Sequence, residues 1–354
     1  MQIDAQNLIG GQWQAATNTG DNLCPADTDV RLGGRPLSGA EEVEAAVAAA
    51  RQAQPAWADV PAPQRAQHLF RLVRLLERDA DRIAKALALE EGKIYPEAYG
   101  EVLKALRYVE FAAGDGRRMN GAVAESEIPG TFAFTFWRPL GVVGLITPWN
   151  FPVAIPLWKI APAIVSGNAV VLKPAPETPA TAHLIGELLQ EAGVPDGIVN
   201  IVHGDAEPAR ALIDHPDVAA ISFTGSTEVG RQIEARCGQL HKRIQCELGG
   251  KNPIIVMEDG DVSAAAAATA KGAFGSTGQR CTATSRAIVM ESVADAFVEQ
   301  VAGLAGQVRA GHPMSEGVTM GPQVSGRQLD TVMSYMGVGR DEAQLVCGGQ
   351  RLTE

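Results

Sequence analysis

The sequence predicts an α/β protein built on a doubly wound parallel sheet, and three observations carry that expectation. From residue 141 to beyond residue 226, apolar runs of strand length alternate with helical patterns, the order that builds βαβ units. The runs at 141–146 and 169–172 are apolar throughout, as strands covered on both faces are. A second, shorter α/β alternation begins near Gly249.

The elements follow in order. The first third reads as helical. Ser38-Gly39-Ala40-Glu41-Glu42 opens an alanine-rich helix to about Gln54, with Ser38 as the expected N-cap and acids in the first turn. From Pro63 to Gly92, Leu69, Leu72, Val73, Leu76, Ile83, Leu87 and Leu89 keep helical spacing. A further helix is expected from Glu97 to about Arg118. Residues 131–137 alternate with period two and read as a strand with one aromatic face. The βαβ series then runs strand 141–146, helix 152–166, strand 169–172 and helix 178–192, which Gly193 and Pro195 end. Strand 198–202, a short helix 206–214, strand 218–223 and a helix from Ser226 complete it. In the second unit a strand at 253–256, a helix from Val262 to about Gly272, a strand near 287–290 and a helix from Val293 are expected. The alanine run 264–268 lies inside a helical pattern and reads as close helix packing. Sheets of this kind bind ligands beyond the carboxyl ends of their strands.

Composition narrows the function. A chain of 354 residues makes two or three domains at ~150 residues each. Its net charge of −11 disfavours nucleic acid and anionic membrane as partners, and an anionic substrate would need a local basic pocket. The start MQIDAQNLIGGQW has no basic region and apolar run of a signal peptide, and no apolar stretch is long enough to span a bilayer. The five cysteines, Cys24, Cys237, Cys246, Cys281 and Cys347, are widely spaced and form no CxxC pair. Neither a metal site nor a disulfide framework is expected. The expectation is a reduced, cytoplasmic protein.

Four segments can carry chemistry. Cys281 sits in Phe-Gly-Ser-Thr-Gly-Gln-Arg-Cys-Thr. An arbitrary free cysteine is most often a buried structural thiol. Here Gly275 and Gly278 let backbone approach a ligand, and Arg280 places a cation beside the sulfur, which favours a nucleophilic thiolate. The other four cysteines keep the structural reading. Glu247, in Glu247-Leu248-Gly249-Gly250-Lys251, is either a surface carboxylate or a general base at a cleft. Thr147-Pro148-Trp149-Asn150-Phe151-Pro152 is either a proline-rich turn or the segment that sets the Asn150 amide at the sheet edge as an oxyanion donor. Phe223-Thr224-Gly225-Ser226 opens a helix after a strand and makes a plausible phosphate site. Neither GxGxxG nor GxxxxGK[ST] occurs, so a standard Rossmann fingerprint or P-loop is not supported.

Together, in this order, the four segments resemble the NAD(P)-dependent aldehyde dehydrogenase family. The resemblance runs from Leu8-Ile9-Gly10-Gly11 to the chain end, and it is specific because Pro148-Trp149-Asn150-Phe151-Pro152, residues 223–230, Glu247-Leu248-Gly249-Gly250-Lys251 and Gly278-Gln279-Arg280-Cys281 all match. It implies that the Cys281 thiolate attacks the aldehyde carbon. The Asn150 amide and the Cys281 N–H hold the oxyanion, and Glu247 activates the water that hydrolyses the thioester. The glutamate favours a free acid over a coenzyme A ester as product. The cofactor contacts implied are Thr147, Pro148, Trp149, Lys173, Ala175, Pro176, Gly225, Ser226 and Leu248. NAD-specific relatives often carry a glutamate where Pro176 stands. With that carboxylate absent and Lys173 present, NADP is expected and NAD remains possible, with Glu177 one residue on as a partial counterweight. The substrate contacts implied are Arg280, Arg118 and Phe151. Arg280 reads either as a carboxylate binder or as half of a structural ion pair.

Residues 278–286 are most similar to those of 2-oxoglutarate (α-ketoglutaric) semialdehyde dehydrogenases, with succinate semialdehyde dehydrogenases and non-phosphorylating glyceraldehyde 3-phosphate dehydrogenases as the nearest competitors. The partner is then a small anionic aldehyde. The resemblance assigns residues 1–118 and 139–248 to a dinucleotide-binding domain, 119–138 to an oligomerisation hairpin and 249–354 to an incomplete catalytic domain, with a homo-oligomer at full length. Full-length relatives continue past Glu354, with a Glu-x-Phe-Gly-Pro segment and a further strand. This leaves open a truncated, catalytically silent NADP-binding relative. A thiol hydrolase pairing Cys281 with one of the six histidines is a third reading, but no histidine sits in a motif that would orient it.

Overall fold

The computed structural model describes residues 2–352; the chain end at Glu354, where relatives were expected to continue, lies outside them. In chain order the strands and helices are β1 (Asn7–Ile9), β2 (Gln12–Gln14), β3 (Thr19–Cys24), β4 (Asp27–Pro36), α1 (Ala40–Asp59), α2 (Ala62–Arg78), α3 (Ala80–Glu91), α4 (Tyr95–Asp115), β5 (Val123–Glu125) and β6 (Phe132–Phe134). There follow β7 (Val142–Ile146), α5 (Ala154–Val165), β8 (Ala169–Lys173), α6 (Pro179–Glu191), β9 (Val199–Ile201), α7 (Glu207–Asp214), β10 (Val218–Thr224), α8 (Thr227–Gln239) and β11 (Arg243–Glu247). The chain continues through β12 (Asn252–Val256), α9 (Val262–Phe274), a 3-10 turn (Gly275–Gly278), β13 (Thr284–Val289), α10 (Glu291–Ala305) and α11 (Gly326–Glu342).

The chain divides into two compact units. One comprises Met1–Asn22, Leu32–Ala86 and Tyr99–Glu247; the other comprises Leu23–Arg31, Leu87–Ala98 and Leu248–Glu354.

In the first unit, the described residues form a sheet ordered β11-β10-β7-β8-β9-β1-β2. The five strands from β11 to β9 are parallel, and β1 and β2 extend the sheet antiparallel. Strands β7 and β8 are buried at every position, as their unbroken apolar runs required. The chain steps outward from β7 to β8 and β9, then returns to place β10 on the other side of β7. Right-handed crossovers then put α5 and α6 on one face and α7 and α8 on the other. This reversal between β7 and β10 is a topological switch point, where such sheets open a crevice for a ligand. Gly144 in β7 permits the close packing of α7: a Cβ there would lie 2.9 Å from Leu212 Cγ and 2.7 Å from Ile221 Cδ1. Buried Arg65 donates to Val165 O at 2.8 Å and so caps the carboxyl end of α5.

In the second unit, β12 and β13 pair in parallel with Ile254 opposite Ala287, and α9 connects them. Val256, Ala266 and Phe297 form its core, joined by Val262, Val289 and Leu304. Of the alanine run, Ala266 is fully buried, whereas Ala264, Ala267 and Ala268 are exposed, so close packing involves one face of α9 and not the whole run.

Several expectations need correction. The first third is not all helix: four strands precede α1, two of them only three residues long and two carrying exposed polar residues. Gly39, not Ser38, is the N-cap of α1, with Glu42 accepting the Gly39 N–H at 2.8 Å. The Ser38 hydroxyl is buried and instead accepts from Asn7 Nδ2 at 2.8 Å. The stretch 63–92 is two helices, α2 and α3, broken at Asp79. Helix α4 ends at Asp115, so Arg117 and Arg118 follow it rather than belong to it. In 131–137 only Phe132–Phe134 pairs as strand, with β5. The aromatic face is nonetheless present: the rings of Phe132, Phe134 and Phe136 follow one another at 6.1 and 6.0 Å.

Candidate active site

In the first unit, the carboxyl edge of the sheet gathers most of the predicted site residues. The register sets Ile146 beside both Lys173 and Phe223, and Thr224 beside Glu247. The Thr147 N–H donates to Lys173 O at 3.2 Å, and the Gly225 N–H donates to Glu247 O at 3.1 Å. Thr147–Phe151, Lys173–Pro176, Gly225–Ser226 and Glu247 therefore issue from the ends of neighbouring strands flanking the switch point. Asn150 and Phe151 lie just before α5, whose first N–H groups are held by a buried carboxylate: Glu101 Oε1 accepts from Val153 at 2.9 Å and Ala154 at 3.1 Å. A carboxylate there satisfies orphan donors and suits the helix dipole.

The same edge fits a dinucleotide. The hydroxyls of Thr147 and Thr224, at the ends of β7 and β10, and of Thr178, before α6, are buried without a hydrogen-bond partner, which is costly unless a ligand supplies one. Ser226 caps α8, accepting from Val229 N, so the first turn presents N–H groups to an anion. A Cβ on Gly225 would come within 2.5 Å of the Phe223 ring, so this turn excludes larger residues. Lys173 is buried beside the Glu177 and Asp205 carboxylates; burial pushes its ammonium down to about 8 against their pull. Burial likewise raises the Glu177 carboxyl, opposed by Lys173 and Arg35. Arg35 pairs with Asp205 at 2.9 Å. Arg35 and Asp205 belong to this charged cluster, and no motif around them announced it.

Glu247 is exposed, and its carboxylate is part of a short polar chain. Gln245 Nε2 donates to Glu247 Oε1 at 2.7 Å, and Lys159 Nζ donates to Gln245 Oε1 at 3.2 Å and Ser222 Oγ at 2.5 Å. These groups line a groove of about 630 Å³ with Trp158 and Tyr108. Burial lowers Lys159 to about 8, with Glu247 opposing the shift. Sequence reasoning missed Lys159; the available signal was a lone cation within the apolar run of α5. Arg118 takes no part in these contacts: its Nη2 pairs with Asp115 Oδ1 at 2.9 Å and its guanidinium lies 5.5 Å from the Phe111 ring centroid.

In the second unit, Leu248 follows the boundary and Cys281 sits on a constrained loop. Cys281 is exposed, which removes the buried-thiol reading, whereas Cys24 and Cys237 are buried as expected. Cys246 is half-buried, and Cys347 is exposed, unlike a structural core thiol. The loop enters through Ser276 at φ 51°, Thr277 at φ 57° and Gly278 at φ 70°. Left-handed backbone at a non-glycine costs on the order of 1–3 kcal/mol and persists only when neighbours hold it. Thr277 Oγ1 donates to Gly321 O at 3.1 Å, Val324 N donates to Gln279 Oε1 at 3.1 Å, and Asn252 Nδ2 donates to Cys281 O at 2.8 Å. The Arg280 guanidinium turns away from a free role: Nη2 meets Glu97 Oε1 at 3.1 Å and Nε meets Ser276 Oγ at 2.9 Å.

A family description, the aldehyde dehydrogenase family, matches residues 13–354, and the chain belongs to that family. It is an enzyme of the class that oxidises aldehydes with NAD or NADP. Over 351 residues it is 42% identical to the alpha-ketoglutaric semialdehyde dehydrogenase of Bacillus subtilis (strain 168), covering 98% of this chain and 72% of that protein. Malonate-semialdehyde dehydrogenase 2 of Geobacillus thermodenitrificans (strain NG80-2) is 39% identical over 98% of this chain and 72% of its own length. A solved NADP dependent enzyme of E. coli superposes with a TM-score of 0.96 at 35% identity, over 98% of this chain and 73% of that one. The aldehyde dehydrogenase fold is thus present over about this share of its relatives' length. Among the described residues no group of three or more His, Cys, Asp or Glu side chains could hold a metal ion, and no helix is long and apolar enough to cross a membrane.

Proposed function

We propose that the enzyme oxidises a short anionic aldehyde, 2-oxoglutarate semialdehyde in the first instance, to the carboxylic acid with NADP. The observation that carries this is Cys281, exposed at the end of a strained loop in a chain of this family. The Cys281 thiolate attacks the aldehyde carbon; the C–S bond forms and the carbonyl electron pair moves to oxygen. The Asn150 amide and the Cys281 N–H donate to that oxyanion. The nicotinamide, when bound, supplies the acceptor for the hydride that leaves this carbon. A thioester on Cys281 remains. Glu247 takes a proton from water, the hydroxide adds to the thioester carbonyl, the C–S bond breaks and the thiolate returns.

The names of the relatives support an aldehyde with a second acidic group, and Arg280 is the cation beside the nucleophile that would meet it. Replacing Arg280 with alanine is expected to raise KM for 2-oxoglutarate semialdehyde at least about tenfold, the weight of one charged contact, and to leave KM for a neutral aldehyde of equal length near wild type. Equal losses on both would contradict the role. Succinate semialdehyde is the runner-up substrate, and the same kinetics rank the two.

Lys173, Ala175, Pro176, Gly225 and Ser226 form the proposed NADP cradle, and Thr147, Pro148, Trp149 and Leu248 are its further proposed contacts. Because burial holds Lys173 near 8, its charge is present below that pH and lost above it. A 2′-phosphate favours the charged form. The dissociation constant for NADP is therefore expected to be flat up to pH about 8 and to rise up to tenfold per pH unit above it. In Lys173→Arg it stays flat across that range. A wild-type constant independent of pH, measured by calorimetry, would remove Lys173 from 2′-phosphate recognition. The exposed rings of Phe132, Phe134, Phe136 and Trp137 support the hairpin 119–138 as the surface through which copies associate. The reading is completed by a cytoplasmic location.

A further inference from the structure

Glu97 lies in the first turn of α4, and no motif marks it. Its Oε1 accepts two bonds that converge on one loop: the Ser276 N–H at 2.8 Å and Arg280 Nη2 at 3.1 Å. Arg280 Nε closes the triangle on Ser276 Oγ at 2.9 Å. The three bonds tie the first left-handed residue of the loop to the residue directly before Cys281. Gly275 belongs to the same device: a Cβ there would stand 3.0 to 3.3 Å from the Arg280 guanidinium, so the cation lies flat on bare backbone. Both charged side chains are mostly covered, Arg280 at 29% and Glu97 at 22% exposure, which strengthens their bond relative to a surface pair. On the far side, Arg280 O accepts from Ala283 N at 3.1 Å. The loop is thus gripped just before and just after the thiol.

We propose that Glu97 is a positioning residue for the reaction, holding the left-handed turn and the Arg280 side chain so that Cys281 is presented in one orientation. This rests on the reading of Cys281 as the nucleophile. Glu97 acts by geometry, with Oε1 as the shared acceptor. An amide oxygen at the same reach can replace it, whereas a carboxylate one methylene shorter cannot reach both donors.

The test compares Glu97→Gln with Glu97→Asp, two mild changes, per folded enzyme. Glu97→Asp is expected to lower kcat by about 10²-fold, the cost of misplacing a reacting group by an ångström, on anionic and neutral aldehydes alike, with KM for the neutral aldehyde unchanged. Glu97→Gln is expected to stay within a few-fold of wild type. A second readout needs neither cofactor nor turnover: the rate at which iodoacetamide alkylates Cys281, followed by the mass of its peptide, departs from wild type in Glu97→Asp and matches it in Glu97→Gln. A wild-type kcat and alkylation rate in Glu97→Asp would overturn the proposal, as would equal loss in both variants. A change confined to KM for anionic aldehydes would also overturn it, since Glu97 would then serve only substrate charge. Cys281→Ser, run beside them, separates the two claims. If it still transfers hydride, the nucleophile reading fails; if it does not and Glu97→Asp is unaffected, only the positioning role fails.

Discussion

Replacing Cys281 with alanine is expected to abolish NADPH formation from 2-oxoglutarate semialdehyde, a loss on the order of 10⁶-fold if this thiol behaves as other catalytic nucleophiles do. The substitution removes one exposed sulfur from a loop whose shape is set by its neighbours: the Asn252 bond to Cys281 O and the Ser276–Arg280–Glu97 triangle involve no Cys281 side-chain atom. The fold should therefore survive. NADP affinity should survive as well, because the proposed cradle is built on the carboxyl edge of the first unit's sheet. Cys246 and Cys347 remain in this variant, so residual activity would show that another thiol can attack the aldehyde. Absorbance kinetics and calorimetry on the same preparation separate loss of chemistry from loss of binding.

Glu247→Gln is the second large effect, and its form is more informative than its size. The amide keeps the shape of the side chain but cannot take a proton from water. Hydride leaves before water enters, so the variant is expected to release about one NADPH per site in a rapid burst and then stall. Steady-state turnover should fall by about 10²–10⁴-fold, the usual weight of a general base. The backbone bond from Gly225 N to Glu247 O persists in the variant, so the end of β11 stays in place. If the burst disappears with the turnover, Glu247 acts on the thiol rather than on water; if steady-state turnover is unchanged, it is not the base.

The sheet was legible because its strands are extreme. Runs such as Val-Val-Gly-Leu-Ile and Ala-Val-Val-Leu-Lys admit few readings besides buried parallel strand, and helices of ordinary length separate them. Sequence order then implied which turns share the carboxyl edge, and Thr147–Phe151, Lys173, Gly225 and Glu247 meet there. The strands β1 to β4 were not legible. β1 and β2 have only three residues each, and β3 and β4 carry polar residues at exposed positions, so neither period nor hydropathy marks them. The break at Asp79 was hidden because α2 and α3 keep one helical spacing across it. The N-cap of α1 moved by one residue because a distant side chain, Asn7, takes the Ser38 hydroxyl. The same limit governs the site. Cys281, Glu247 and Asn150 stand in motifs, but Glu97, Lys159 and the Arg35–Asp205 pair matter through partners far away in sequence. Arg280 stands in a motif too, but its partner Glu97 is 183 residues away in sequence, so the ion pair is visible only in the fold.

Trapping the covalent acyl intermediate on Cys281 tests the mechanism at its decisive step. Glu247→Gln is mixed with NADP and 2-oxoglutarate semialdehyde, quenched in acid after the burst, digested and weighed peptide by peptide. An added acyl mass is expected on the Cys281 peptide, in proportion to the NADPH released, and none on the peptides of Cys24, Cys237, Cys246 or Cys347. A burst of NADPH with Cys281 unmodified, or an acyl group on another cysteine, would contradict the mechanism.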